Sequence, residues 1–190
     1  MPEGPEIDTD SVRESIHEAA AGPLLKRVAL TTALLAALGA IASLRAGDSV
    51  NEALVLKTEA GRLQAEASDQ WAYYQAKGIK GHVQETSRAV WQAAAKEPPA
   101  AVEANIKRYA AEQKEIEKTA REKEHERDVA SEKADGLIER HHRFANSVAF
   151  IQVAIALGAV AALTQNRLIW FGSLGLGAVG AGLFFVTLLR

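Results

Sequence analysis

The chain has 190 residues, a formal net charge of −2 and no cysteine. The missing cysteine excludes disulfides and thiolate metal or redox chemistry. Near-neutral, sign-mixed charge argues against a nucleic-acid partner, which needs a basic stripe to displace counterions. The charge is also segregated: residues 28–44, 144–163 and 168–189 contain no Asp, Glu, Lys or Arg.

In chain order, residues 1–27 are expected to form an acidic tail, with Glu3, Glu6, Asp8, Asp10, Glu14 and Glu18. Ser11 and Glu14 fit a capping box opening a short amphipathic helix from 12 to 21, which Gly22 and Pro23 end. Residues 28–45 read as a first transmembrane helix at the short limit of what crosses a bilayer core. Lys26, Arg27 and Arg45 mark its ends. A cleaved signal peptide is the competing reading, but its leader should be short and basic, not long and acidic.

Residues 46–143 are polar and read as an extramembrane antiparallel hairpin of two long, coiled-coil-like helices, with a turn at 97–99 around Pro98 and Pro99. Asp48 or Ser49 is expected to cap the first arm. Leu56, Ala60, Leu63 and Ala67 follow the 4-3-4 spacing of a coiled-coil seam. Gly78 and Gly81 suggest a phase change or kink, after which Ile79, Val83, Val90 and Ala94 are expected to continue the apolar face.

The densest cluster of aromatic and polar side chains is SDQWAYYQAKGIK, residues 68–80. Within it Asp69, Trp71, Tyr73, Tyr74, Gln75 and Lys77 suit a recognition surface, since Trp and Tyr bring large area with a polar handle. The plainer reading is that Trp71 and Tyr74 pack the helix–helix seam. This segment, in a long helix after one span and before a C-terminal transmembrane hairpin, resembles the bacterial membrane-protein family labelled domain of unknown function 4337 (DUF4337). The resemblance spans most of the chain and implies a multi-pass protein of the bacterial inner membrane. It implies no activity, cofactor or catalytic residue. It also implies a histidine-rich N-terminal region, from which this chain departs with His17 alone.

The second arm has a regular seam: Val102, Ile106, Tyr109, Gln113, Ile116, Ala120, Lys123, Arg127, Ala130, Ala134, Leu137, His141 and Phe144 alternate four and three. With so many polar occupants, the hairpin buries too little apolar surface to stand alone and should pair with a copy of itself or a foreign protein. No turn signal precedes Phe144, so this helix is expected to run straight into the second span, linking hairpin movement to the membrane part.

Residues 144–163 and 168–189 form the second and third spans around Thr164, Gln165, Asn166 and Arg167. Trp170 and Phe171 sit where an interfacial aromatic belt belongs. Ser173, Gly177 and Ala181 have small-xxx-small spacing, which permits close helix approach either within the chain or between copies. Arg140, His141, His142 and Arg143 lie at the expected water–lipid boundary and suit contact with anionic lipid headgroups. Arg140 and Arg143 outnumber Arg167 across the transmembrane hairpin, which leans towards a cytoplasmic extramembrane hairpin.

Glu14/His17, Glu122/His125 and Glu139/His142 have the Glu-x-x-His spacing of di-iron bundles, but lack the bridging carboxylates such a site requires. No metal, cofactor or catalytic residue is therefore expected, and no enzyme. The fold expected is all-α, an integral membrane protein with three transmembrane helices and the hairpin. The role expected is structural or scaffolding, through self-association by the glycine-rich last span and the hairpin. The alternative is an oligomeric channel gated by the hairpin.

Overall fold

The computed structural model of the protein describes residues 22–189. The short helix expected at 12–21, with its capping box and the Glu14/His17 pair, lies outside them. The described residues form three helices: α1 Pro23–Ala93, α2 Ala100–Thr164 and α3 Arg167–Leu189. Each contains an 18-residue stretch of mean hydropathy 1.7, 2.1 and 1.8 respectively, so all three are long and apolar enough to cross a membrane.

Two expectations about α1 change. Asp48 and Ser49 open no new helix, because α1 runs through both. Ser49 is buried and its hydroxyl donates to the Arg45 carbonyl, 3.0 Å away. Between Arg45 and Asn51 there is no proline, and Ala42, Ala46, Ser49 and Ala53 keep one buried stripe going. Nor does the phase change at Gly78. The buried and half-buried positions keep a seven-residue period through Gln70, Tyr74, Lys77, Gly81, Gln84 and Arg88. Ile79, Val83 and Val90 are therefore 65%, 59% and 65% exposed, and Ala94 is exposed with them.

The turn between the arms falls where the prolines predict. The amide of Lys96 donates to Trp91 O and that of Ala95 to Gln92 O, both at 3.0 Å, closing the end of α1. This is a Schellman cap. Ala95 occupies its left-handed position at φ 53°, where a side chain costs roughly 1–2 kcal/mol. Pro99 precedes α2, and its carbonyl accepts from Val102 N at 2.8 Å. Between α2 and α3, Asn166 Oδ1 caps the new helix by accepting from Leu168 N at 2.9 Å.

The chain packs as two compact units. One takes the sequence up to Val50 and again from Ile138, so Ala46, His141 and Phe144 belong with the apolar segments. Its core joins Ala42, Ala46, Phe144 and Phe184, with Leu38 and Val148 packed on it. Along α2, Ser147, Ile151, Ala154, Gly158 and Ala161 are buried; along α3, Ser173, Gly177, Gly180, Phe184 and Thr187 are. The other unit is Asn51–Leu137, an antiparallel hairpin. Every seam position expected for α2 from Val102 to Leu137 is buried or half-buried.

Candidate functional site

In the hairpin unit several polar side chains pair across the two arms. Lys57 meets Asp135 at 2.8 Å and donates to Ser131 Oγ at 3.0 Å. Arg127 donates to Gln64, and Lys123 lies 3.7 Å from Glu66. Arg88 lies 3.7 Å from Glu103. Exposed pairs of this kind add little stability, but they fix which residue of one arm faces which of the other.

The aromatic cluster at 68–77 divides between two faces. Trp71 is half-buried; its Nε1 donates to Glu124 Oε1 at 2.9 Å, and it meets Tyr74 edge-on with ring centroids 5.6 Å apart. Lys77 is the most enclosed charge of the cluster, its side chain 14% exposed and its Nζ 2.6 Å from Glu112 Oε2. That ammonium also lies 4.9 Å from the Tyr73 ring centroid and 5.8 Å from that of Tyr109. The hydrogen bond to Glu112, then that to Tyr73, raises the Lys77 pKa; the same bond from Lys77 lowers that of Glu112. Trp71, Tyr74 and Lys77 thus serve the hairpin itself, while Asp69, Tyr73 and Gln75 face outward.

Gly78 and Gly81 make room for α2. A Cβ at Gly78 would come within 2.7 Å of Gln113 Nε2, whose amide donates to Tyr74 O at 3.3 Å. A Cβ at Gly81 would sit 3.8 Å from Tyr109 Cβ. Their spacing reads as a kink in the sequence, but both lie on the inner face, where Gly78 leaves room for the Gln113 side chain and Gly81 stands in ordinary contact range of Tyr109.

The exposed face of α1 opposite this seam carries a second stripe. Ala72, Ala76, Ile79, Val83, Thr86, Val90 and Ala93 alternate four and three, and all are exposed. The positions flanking it, Tyr73, Gln75, Lys80, His82, Ser87 and Ala89, include no carboxylate. Sequence reasoning found Ile79, Val83 and Val90 but assigned them to the inner face. The signal that separates the two stripes is their offset of two residues, about 200° around a helix.

In the apolar unit, small residues serve packing within the chain. The Ser147 hydroxyl donates to Gly180 O at 2.7 Å, and that of Ser173 to Ala154 O at 2.6 Å. A Cβ at Gly180 would fall 2.8 Å from Ile151 Cγ1 and 3.1 Å from both Ile151 N and Ser147 O. Gly177 is buried against Leu35 of the same chain, which a Cβ would meet at 2.9 Å, and Ala181 is half-buried. At Gly177 the small residue thus makes room for Leu35 within the chain. Gly172, Gly175 and Gly182 have nothing within 4 Å of a built Cβ.

The four residues expected at lipid headgroups also separate. His141 Nδ1 donates to Ala46 O at 2.9 Å, which fixes that nitrogen as the protonated one. Arg143 pairs with Glu139. Arg140 and His142 are exposed. Glu122 and His125 are exposed as well, and among the described residues no group of three or more His, Cys, Asp or Glu gathers at metal-binding range.

The model of the family described as a domain of unknown function (DUF4337) matches residues 24–190. No curated protein and no solved structure matches the chain.

Proposed function

We propose that this chain, which belongs to the DUF4337 family, is a three-span protein of the bacterial inner membrane whose extramembrane hairpin assembles copies of itself into a scaffold. The membrane part of this reading draws on the three apolar helices and on their outward side chains. Leu34, Ile41, Phe150, Val153, Val179 and Phe185 are all exposed where a water-soluble bundle would carry polar residues. Arg140 and Arg143 against Arg167 favour a cytoplasmic hairpin under the positive-inside rule.

The outer stripe of α1 carries the assembly reading. An apolar stripe of seven-residue period fits a helix of the same period by knobs-into-holes packing. A second copy supplies one with the same Ala, Ile and Val occupants. Its flanks oppose self-pairing only through Lys80 and, when protonated, His82. The rival reading, an oligomeric pore, would have to draw its lining from exposed polar residues such as Asn146 and Gln152, assembled between copies. Ser147 and Ser173 are consumed by carbonyls, as are Ser49 and Thr187, which donate to Arg45 O and Leu183 O.

The test is native mass spectrometry of the full chain in mild detergent. We expect one discrete oligomer from the wild type and monomer from the triple variant Ile79→Ser, Val83→Ser, Val90→Ser, with helical circular dichroism unchanged. A monomeric wild type, or a variant that keeps the oligomer, rejects the reading.

A further inference from the structure

The start of α1 and the turn from α2 to α3 enclose two adjoining cups of roughly 400 and 290 Å³, both within the apolar unit. Pro23, Leu24 and Arg167 line both. Gln165 closes the first, and Arg27, Trp170 and Phe171 close the second. The indole of Trp170 is held by donation from its Nε1 to Thr31 Oγ1 at 3.3 Å, and its ring centroid lies 5.2 Å from that of Phe171.

Among the described residues the charge here is one-sided. Lys26, Arg27 and Arg167 supply three cations, and none makes an ion pair among the described residues. The described carboxylates of this unit, Asp48 and Glu139, lie far along the sequence beside Arg45 and Arg140.

We propose that these cups bind the phosphate of an acidic phospholipid, with Arg27 and Arg167 as its principal ligands. Guanidinium groups match phosphate oxygens in a fork. Trp170 and Phe171 are the side chains that lie at a headgroup–acyl boundary, so the adjoining apolar wall receives the start of the acyl chain. Basic pockets between spanning helices bind acidic lipids by this chemistry. The site is distinct from Arg140–Arg143, at the opposite ends of the same apolar segments. The lipid source rests on the membrane reading given above. The phosphate chemistry rests on the two arginines alone.

The experiment places the full-length protein in nanodiscs containing equal phosphatidylglycerol and phosphatidylcholine, and counts retained lipids by native mass spectrometry. We expect the wild type to retain phosphatidylglycerol preferentially. The variant Arg27→Gln/Arg167→Gln should lose that preference by at least about tenfold. The variant Arg140→Gln/Arg143→Gln should keep it, and millimolar glycerol 3-phosphate should not displace the lipid. Equal retention of both lipids by the wild type, or no change in the Arg27/Arg167 variant, overturns the proposal. Displacement by glycerol 3-phosphate overturns the lipid assignment in favour of a soluble phosphate. Failure to enter nanodiscs at all refutes the membrane reading instead, so the two failures are distinguishable.

Discussion

The two compact units solve the same helix-packing problem with opposite materials. In Asn51–Leu137 the seam mixes Ala, Leu and Ile with charged and amide side chains, several of them paired with the other arm, as Lys77 is with Glu112. In the apolar unit the contacts are made by Gly, Ser and Ala, with backbone carbonyls as acceptors. Water explains the first: a seven-residue stripe of Ala, Leu and Ile gains from leaving water, and the polar rungs select one register. Under the membrane reading proposed above, a lipid solvent accounts for the second, because tails as apolar as leucine remove that gain and leave close approach and hydrogen bonds to hold helices together.

Substitutions at glycine test this contrast most severely. Gly180→Leu drives a side chain into the backbone of Ile151 and Ser147. We expect it to destabilise the apolar unit by about 3 kcal/mol, read as a lowered thermal midpoint in detergent. Gly182→Leu, with open space around it, should leave the midpoint within about 0.5 kcal/mol of wild type. Equal effects at the two positions would erase the distinction between the inner and outer faces of α3.

In the hairpin the corresponding effect is smaller, because the obstacle is a flexible side chain. Gly61→Ala meets nothing within 4 Å and should stabilise by about 1 kcal/mol through helix propensity alone. Gly78→Ala earns the same propensity but must push Gln113 off Tyr74 O, at a cost of about 1 kcal/mol, so the net change should be near zero. Urea midpoints of the two variants, compared directly, check this; a Gly78 variant as stabilised as the Gly61 variant would mean the two arms do not approach there.

The smallest effect expected is the pH dependence of the Lys77–Glu112 rung. Glu112 titrates below its ordinary 4.5 when folded, so its contribution is complete above pH 4.5 and fades as pH falls through the lower folded value. Lys77 titrates above its ordinary 10.5, so its contribution is complete below pH 10.5 and fades as pH rises through the higher folded value. Hairpin stability, followed by circular dichroism, should therefore be level between these limits as far as this rung is concerned. Lys77→Met should remove the rung's share of both declines.

Much of this was legible from spacing. The seam of α2 reads correctly from Val102 to Phe144, polar members included, because the 4-3 alternation never slips. The turn at Pro98 and Pro99 follows from residues that interrupt a helix wherever they stand, and the short connection at Gln165–Asn166 from the polar break between two apolar segments. The inner seam of α1 beyond Tyr74 was not legible. Lys77, Gln84 and Arg88 look like solvent residues, and Ile79, Val83 and Val90 look like core. Their true sides depend on Glu112, Tyr109 and Glu103, which lie on the other arm. The same holds for Gly177, whose small-residue spacing fits a second chain as well as it fits Leu35.

What the sequence determined by itself is therefore the all-helical class, the three apolar segments, the places where helices turn and the period of their stripes. Those follow from local propensity and from side chains repeating along one helix. Only the tertiary structure decided which of two stripes faces inward, which glycines are filled by a neighbour, and that Arg27 and Arg167 line one cup. Each of those depends on residues distant in sequence meeting in space, and helical periodicity carries no information about what stands opposite.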